Sequence, residues 1–303
     1  MKNIDAIEFF SGIGAFASAV SMLKKTDISI VSAFDQNPEA NKVYSHNFGL
    51  QPIQKNLISL KADLVQPSNL WWMSPPCTPF SRRGKRRDID DPRSKAFLNL
   101  INLLVSLNVP KLPHGLIVEN VEGFGGSRVQ EYLFEKLDRL EYQYKTIRLC
   151  STDFGVPMRR PRLFLLATRG GSIKTPDLSE YIDKRANLMD YLKKYGDSRC
   201  IVKDEVLERY HNVLNIVDLE DGEAVLICFT RGYYGCKKVS GSLVRGSDGV
   251  VRYVSPDDIA RLLGFPENFS FPETVSYEWR WKLLGNSVDL RAIRYLLASL
   301  NYC

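Results

Sequence analysis

Histidine is scarce, with three in 303 residues, and none of the six cysteines, at 77, 150, 200, 228, 236 and 303, stands in a CxxC pair. Zinc sites and disulfide frameworks depend on such spacings, so neither is expected, no metal is implied, and the thiols fit a reducing compartment. The expected localisation is cytoplasmic, with the nucleus as an alternative. Long apolar runs are also missing, which argues against a membrane span or membrane partner. The opening MKNIDAIEFFSGIG lacks the basic, apolar, small succession of a secretory leader and reads directly into a strand, so no cleavage is expected. Strong charge of one sign is absent as well. A net charge of +6 suits a nucleic-acid partner but is too mild to decide. With 44% hydrophobic and 25% charged residues, the chain suits a globular protein, expected as a monomer, with one large domain or a large and a smaller one.

The first half alternates short β-rich runs with amphipathic stretches, the pattern of βαβ units. The fold class expected is α/β, a doubly wound, mostly parallel sheet with helices on both faces. Strands are expected near Ile4 to Phe9, Ile28 to Phe34, Leu70 to Met73, Leu116 to Glu119, Lys145 to Cys150 and Leu163 to Thr168. Ser94, before Phe97, Leu100, Ile101 and Leu104, reads as the cap of a helix running to Leu107. After Gly170-Gly171 the alternation becomes irregular. It resumes near Tyr253, with a helix start at Ser255-Pro256-Asp257-Asp258 and a last helix that buries Ile293, Leu296, Leu297 and Leu300. A large domain of residues 1–169 and 250–303 is therefore expected, with a smaller separate domain at 170–249.

Phe9-Phe10-Ser11-Gly12-Ile13-Gly14 lies between a strand and a helix, where glycines let the backbone turn tightly and approach a ligand. Asp35 ends the next strand, where an acid suits ribose hydroxyls. The pair reads either as a nucleoside pocket or as a glycine turn with a surface aspartate. It is shorter than the nicotinamide fingerprint GxGxxG, which leaves adenosylmethionine or another nucleoside. Ser74-Pro75-Pro76-Cys77-Thr78-Pro79-Phe80 follows the third strand, and its prolines hold a thiol at the same crevice. A lone cysteine is commonly an inert small hydrophobe, but one in a rigid loop followed by cations that favour its thiolate is a candidate nucleophile. Glu119-Asn120-Val121 ends the fourth strand; its carboxylate either caps the next helix or faces the crevice. A thiol beside a carboxylate has a specific use on cytosine, whose C5 resists substitution until a nucleophile adds at C6. A carboxyl group at N3 and the exocyclic amine then stabilises the developing charge. Two basic clusters, Arg82, Arg83, Lys85, Arg86 and Arg87, and Arg159, Arg160 and Arg162, either neutralise phosphates or form solvated loops.

In order, FSGIG, Asp35, SPPCTPF, ENV, Arg160-Pro161-Arg162, RYVSPDDIARLLGFP and Gly285-Asn286-Ser287-Val288 resemble the ordered motifs of the DNA cytosine-5 methyltransferases, over almost the whole chain except the middle insert. The resemblance implies a Rossmann-like methyltransferase that uses S-adenosylmethionine and releases S-adenosylhomocysteine. It makes Cys77 the nucleophile at C6, places Glu119 on the N3 and amine edge, and has Arg160 and Arg162 help fix the base. It puts Phe10, Gly12, Gly14, Asp35, Asn286 and Ser287 around the methyl donor. Two positions depart from the family pattern. Gln36 stands at the adenine-stacking position, often aromatic, and Asn56, followed by Leu57, at an acidic adenine-contacting position.

Within the insert, Cys228-Phe229-Thr230 before Arg231-Gly232-Tyr233-Tyr234-Gly235 is similar to the branch of the family that methylates the anticodon loop of aspartate tRNA. That implies a tRNA partner contacted by Arg82, Arg83, Lys85, Cys228, Phe229, Thr230, Arg231 and Tyr233; the same residues also read as a buried strand and a solvated turn. Duplex DNA as the partner, and a catalytically silent nucleic-acid-binding relative, are the alternatives. A hydride-transferring oxidoreductase is a distant fourth, since it leaves the thiol and carboxylate without a role.

Overall fold

A computed structural model describes residues 3–23, 27–81, 87–184, 187–234 and 240–300. The chain runs β1 (Ile4–Phe9), α1 (Ala15–Ser21), β2 (Ile28–Phe34), α2 (Pro38–Phe48), β3 (Leu70–Met73), α3 (Lys95–Ser106), β4 (Gly115–Asn120), α4 (Arg128–Arg139), β5 (Gln143–Leu149), β6 (Met158–Arg159) and β7 (Arg162–Thr168). It continues through α5 (Asp204–Tyr210), β8 (Asn215–Asp218), β9 (Leu226–Ile227), β10 (Ser242–Arg245), β11 (Val251–Tyr253), α6 (Pro256–Leu262), α7 (Tyr277–Gly285) and α8 (Leu290–Ser299). All six expected strands form one sheet, ordered β2-β1-β3-β4-β7-β5, three with the expected bounds and three within two residues of them. The first four are parallel, and β7 runs antiparallel to both β4 and β5.

Alternation along each strand divides the core between the two faces. Ala6, Leu70, Trp72, Ile117, Phe164 and Leu166 pack with Phe16 and Ala19 of α1 and with Ile293, Leu296 and Leu297 of α8. Ile7, Trp71, Met73, Leu116, Val118, Leu165 and Ala167 pack with Phe97, Leu100, Ile101 and Leu104 of α3 and with Leu133 and Leu137 of α4. Both faces of the strands are therefore apolar, as helix-covered parallel strands require.

Ser255 caps α6 as expected, accepting from the Asp258 N–H at 3.1 Å. At α3 the capping expectation is corrected. A turn over Pro92–Ser94 precedes the helix, and Asp91 caps that turn by accepting from the Arg93 N–H at 3.0 Å. The Ser94 hydroxyl instead donates to the Asp88 carbonyl at 2.7 Å. Farther along, β8, β10 and β11 form a three-stranded sheet, and β9 pairs with β6 in parallel. Phe229, Tyr233, Leu243 and Val254 of this region share one apolar cluster with Leu263, Trp281 and Ile293.

Candidate active site

Because β1 to β4 are parallel, the segments after Phe9, Phe34, Met73 and Asn120 emerge at one sheet edge, and antiparallel β7 brings its beginning, Arg162, to that edge. Hydrogen bonds tie these segments together. The Ser11 N–H donates to the Phe34 carbonyl at 3.0 Å, the Ser74 N–H to the Phe9 carbonyl at 3.2 Å, and the Asn120 side-chain amide to the Pro75 carbonyl at 3.0 Å.

On the β1–β2 side, Phe10 holds φ at 58°, a left-handed conformation costly for a bulky residue, and Gly12 holds 55°. The Gly12 N–H donates to Asp35 Oδ2 and the Asn37 N–H to Asp35 Oδ1, each at 2.8 Å. Burial pushes the Asp35 carboxyl above its ordinary range despite these donors. Space in front of Gly12 is open: a Cβ there would meet nothing within 4 Å. Two buried hydroxyls, Ser11 Oγ and Ser287 Oγ, lack a hydrogen-bond partner among the described residues. The open glycine turn, the unpartnered Ser11 hydroxyl within it and the ribose-suited aspartate fit a polar nucleoside donor such as S-adenosylmethionine.

On the β3–β4 side, the Cys77 carbonyl accepts from the Phe80 and Ser81 N–H groups, both at 3.0 Å, which curls the loop after the prolines. The turn after β4 braces it. Phe124 meets Phe80 edge-on at 5.1 Å, and a Cβ on Gly123 would come within 2.2 Å of the Phe80 carbonyl oxygen. Cys77 is exposed. Desolvation and then the Glu119 charge push its thiol up, and Arg162 and Arg160 only partly oppose them. A thiol raised above its ordinary value is protonated at neutral pH. Glu119 is held on both oxygens, with Oε2 accepting from the Ser74 hydroxyl at 2.6 Å and Oε1 paired with Arg162 Nε at 3.0 Å. Exposures of 9% and 14% for the two side chains make this pair less screened than a surface salt bridge.

Residues 4–301 match the model of the C-5 cytosine-specific DNA methylase family. A tRNA (cytosine(38)-C(5))-methyltransferase of Schizosaccharomyces pombe is 33% identical, over 99% of this chain and 97% of that protein. The chain belongs to the C-5 cytosine-specific DNA methylase family. Another member, a DNA (cytosine-5)-methyltransferase of Dictyostelium discoideum, is 26% identical over 98% of this chain and 94% of its own length. A solved Entamoeba histolytica methyltransferase superposes with a TM-score of 0.90 at 27% identity, covering 99% of this chain and 98% of that one.

For this family member the structure redistributes several expected roles. Gly14 packs helices: a Cβ there would lie 2.3 Å from the Phe48 ring, so α1 could not sit against α2. The Leu57 side chain is 1% exposed within the core, and its carbonyl accepts from Asn99 at 2.8 Å, leaving no side-chain surface for a donor. Gln36 donates to Asn56 Oδ1 at 2.9 Å, and that oxygen also accepts from the Ile58 N–H, so the two departures from the family pattern contact each other. Asn286 is exposed in the turn before α8, next to Ser287.

Arg160 was expected at the base, but its guanidinium is enclosed. It donates to Cys228 Sγ at 3.0 Å, to the Phe229 carbonyl at 2.7 Å, to the Gly285 carbonyl at 3.1 Å and to the Ser287 carbonyl. It clamps three segments together and is not free for phosphate. Phe229 and Tyr233 are also corrected. They are 1% and 2% exposed, pack under Gly241, and leave no surface for RNA. The Tyr233 hydroxyl donates to the Ser242 carbonyl at 2.6 Å and accepts from the Val254 N–H at 2.8 Å. Cys228 faces the arginines, and the half-buried Thr230 donates to the Ser240 carbonyl at 3.2 Å. Arg231 is exposed, as is Tyr234, whose ring stacks on Trp281 at 4.5 Å. Arg82, Arg83 and Lys85 lie outside the described residues. Sequence reasoning gave no separate role to Ser74, whose hydroxyl braces Glu119.

Proposed function

We propose that the protein methylates C5 of a cytosine in the anticodon loop of a tRNA, of the aspartate-tRNA kind, with S-adenosylmethionine as donor and S-adenosylhomocysteine as product. One observation carries the chemistry: Glu119, held by Ser74 and Arg162, ends the strand next to the loop that presents Cys77. Support for tRNA comes from the name of the fission-yeast relative, which aligns over nearly the whole of both chains.

S-adenosylmethionine, when bound, supplies a methyl group that a carbon nucleophile can take. As the base enters, Cys77 passes its proton to the Glu119 carboxylate, which delivers it to N3 while the sulfur adds to C6. Glu119, oriented by Arg162, holds N3 and the exocyclic amine while charge develops on the ring. After C5 accepts the methyl group, solvent water takes the C5 proton, the C6–sulfur bond breaks, and the N3 proton returns through Glu119 to the sulfur, which restores the aromatic ring and the thiol. The cytosine has to leave its stack first, at about a few kcal/mol when paired and less in a loop. The smaller domain at 170–249, whose β8 and β10 form a sheet with β11, would read the target, with Arg231 and Tyr234 exposed for phosphate and base contact.

A stem-loop RNA carrying 5-fluorocytosine at the target position tests the covalent step, because fluorine cannot leave C5 as a proton does. The expected result is a denaturant-stable protein–RNA adduct that requires the methyl donor and is absent from Cys77→Ala. No adduct with RNA, and an adduct with 5-fluorocytosine duplex DNA, would favour the second reading, DNA methylation, which the Dictyostelium relative's name supports.

A further inference from the structure

Asp88 holds φ at 52°, in the left-handed region that favours glycine and is uncommon for other residues. Strain of that kind persists only where surrounding contacts over-determine it. At Asp88 the N–H, the carbonyl and the carboxylate are all engaged. The N–H donates to the Pro79 carbonyl at 3.4 Å, and the carbonyl accepts from the Ser94 hydroxyl at 2.7 Å. The carboxylate accepts from the Arg128 N–H at 2.7 Å and from the Val129 N–H at 3.2 Å.

Arg128 and Val129 open α4, where the first N–H groups have no partner within the helix and the helix dipole favours an anion. The helix already carries a local cap, since Ser127 Oγ accepts from the Gln130 N–H at 3.1 Å. Asp88 lies 40 residues before Arg128, so its contact is a tie between distant segments rather than part of a local turn. A neighbouring tie, from Arg128 Nη1 to Asp90 at 2.8 Å, joins two exposed side chains and contributes little.

The segments so joined are the Cys77 loop and the chain that continues from Glu119. Next to Glu119, the Asn120 amide holds the Pro75 carbonyl before Cys77, and Gly123 and Phe124 brace Phe80 after it. Asp88 adds a third tie, from the chain beyond Phe80 to the start of α4, and its acceptor is a carboxylate. We propose that Asp88 is a positioning residue for methyl transfer: its carboxylate on the first turn of α4 holds the Cys77 loop in place against the strand that presents Glu119.

The consequence for turnover rests on the methyl-transfer reading; the tie itself does not, and it is measured without substrate. Asp88→Gly removes the carboxylate and relaxes the backbone, Asp88→Asn keeps one acceptor and tolerates the left-handed conformation, and Ser127→Ala removes the local cap of the same helix. Each full-length variant is alkylated with iodoacetamide at a single pH near 8, and Cys77 is followed by peptide mass spectrometry. Burial and the Glu119 charge hold the Cys77 thiol up, so a loop released from both reacts faster. The expected result is a rise of roughly threefold to tenfold in Asp88→Gly, part of it reversed in Asp88→Asn, and the wild-type rate in Ser127→Ala. On the RNA substrate, kcat is expected to fall by about tenfold to a hundredfold in Asp88→Gly with little change in donor KM. An unchanged alkylation rate in Asp88→Gly, or an equal rise in Ser127→Ala, overturns the proposal even if no substrate has been found. So does full kcat in Asp88→Gly, or a loss confined to donor KM.

Discussion

Glu119 sits where two restraints meet, and in the proposed reaction its charge is useful only while the base carries developing charge. Glu119→Gln keeps the Ser74 hydrogen bond and loses the ion pair with Arg162. It is expected to leave donor binding, measured by calorimetry with S-adenosylhomocysteine, nearly unchanged, while kcat falls by about 10²–10³-fold. An equal loss of donor binding would assign Glu119 to the structure of the site. Cys77 gives a second residue-scale test. Because burial and Glu119 raise its thiol, its alkylation by iodoacetamide, followed by peptide mass spectrometry, is expected to climb with pH at values above those of an ordinary thiol. A low-pH plateau would contradict the placement of that charge. Glu8 is a third. It is fully buried in β1, accepts from the Tyr44 hydroxyl, and burial raises its carboxyl from 4.5 to about 8. Between those values the folded chain binds a proton that the unfolded chain does not, so stability falls as pH rises across that window. Glu8→Gln keeps an acceptor for Tyr44 and removes the proton; urea unfolding is expected to show a flatter pH dependence and a more stable protein near pH 8.

At the scale of elements, the Cys77 loop owes its shape to the turn after β4 as much as to its own prolines. Gly123→Ala places a methyl group against the Phe80 carbonyl. It is expected to cost roughly 1–3 kcal/mol of stability and to lower kcat more than donor affinity, since the strain falls on the thiol loop. A variant with wild-type kcat would show that the loop does not depend on that contact. The strands were readable because strands covered on both faces are nearly continuous apolar runs, as Leu70–Met73 and Gly115–Asn120 show. The direction of β7 was not readable. Its residues suit either orientation, and only pairing with β4 and β5 makes it antiparallel and brings Arg162 to the catalytic edge. Helix caps were half legible: Ser255 acts as its pattern suggests, whereas Asp91 takes the role expected of Ser94 because a tight turn precedes α3.

At the scale of the whole molecule, the motifs order the site along the chain, but the joints between them come from tertiary contacts. Cys77, Glu119 and Asp35 stand at strand ends, and strand ends can be read from periodicity. Arg160 joins segments 68 and more than 120 residues away, so no local pattern could separate its clamping role from a phosphate contact. Phe229 and Tyr233 misled for a related reason: aromatic rings beside arginines suit RNA in sequence, yet Gly241 leaves room for both rings in the core. Among the described residues of that stretch, Arg231 and the Tyr234 ring are exposed. The central claim is cytosine methylation on tRNA, and its most direct test is transfer of labelled methyl from S-adenosylmethionine to total tRNA and to duplex DNA in parallel, with Cys77→Ala beside the wild type. Label in tRNA alone, lost in the mutant, is the expected result; label in DNA alone, or label that survives Cys77→Ala, would contradict it.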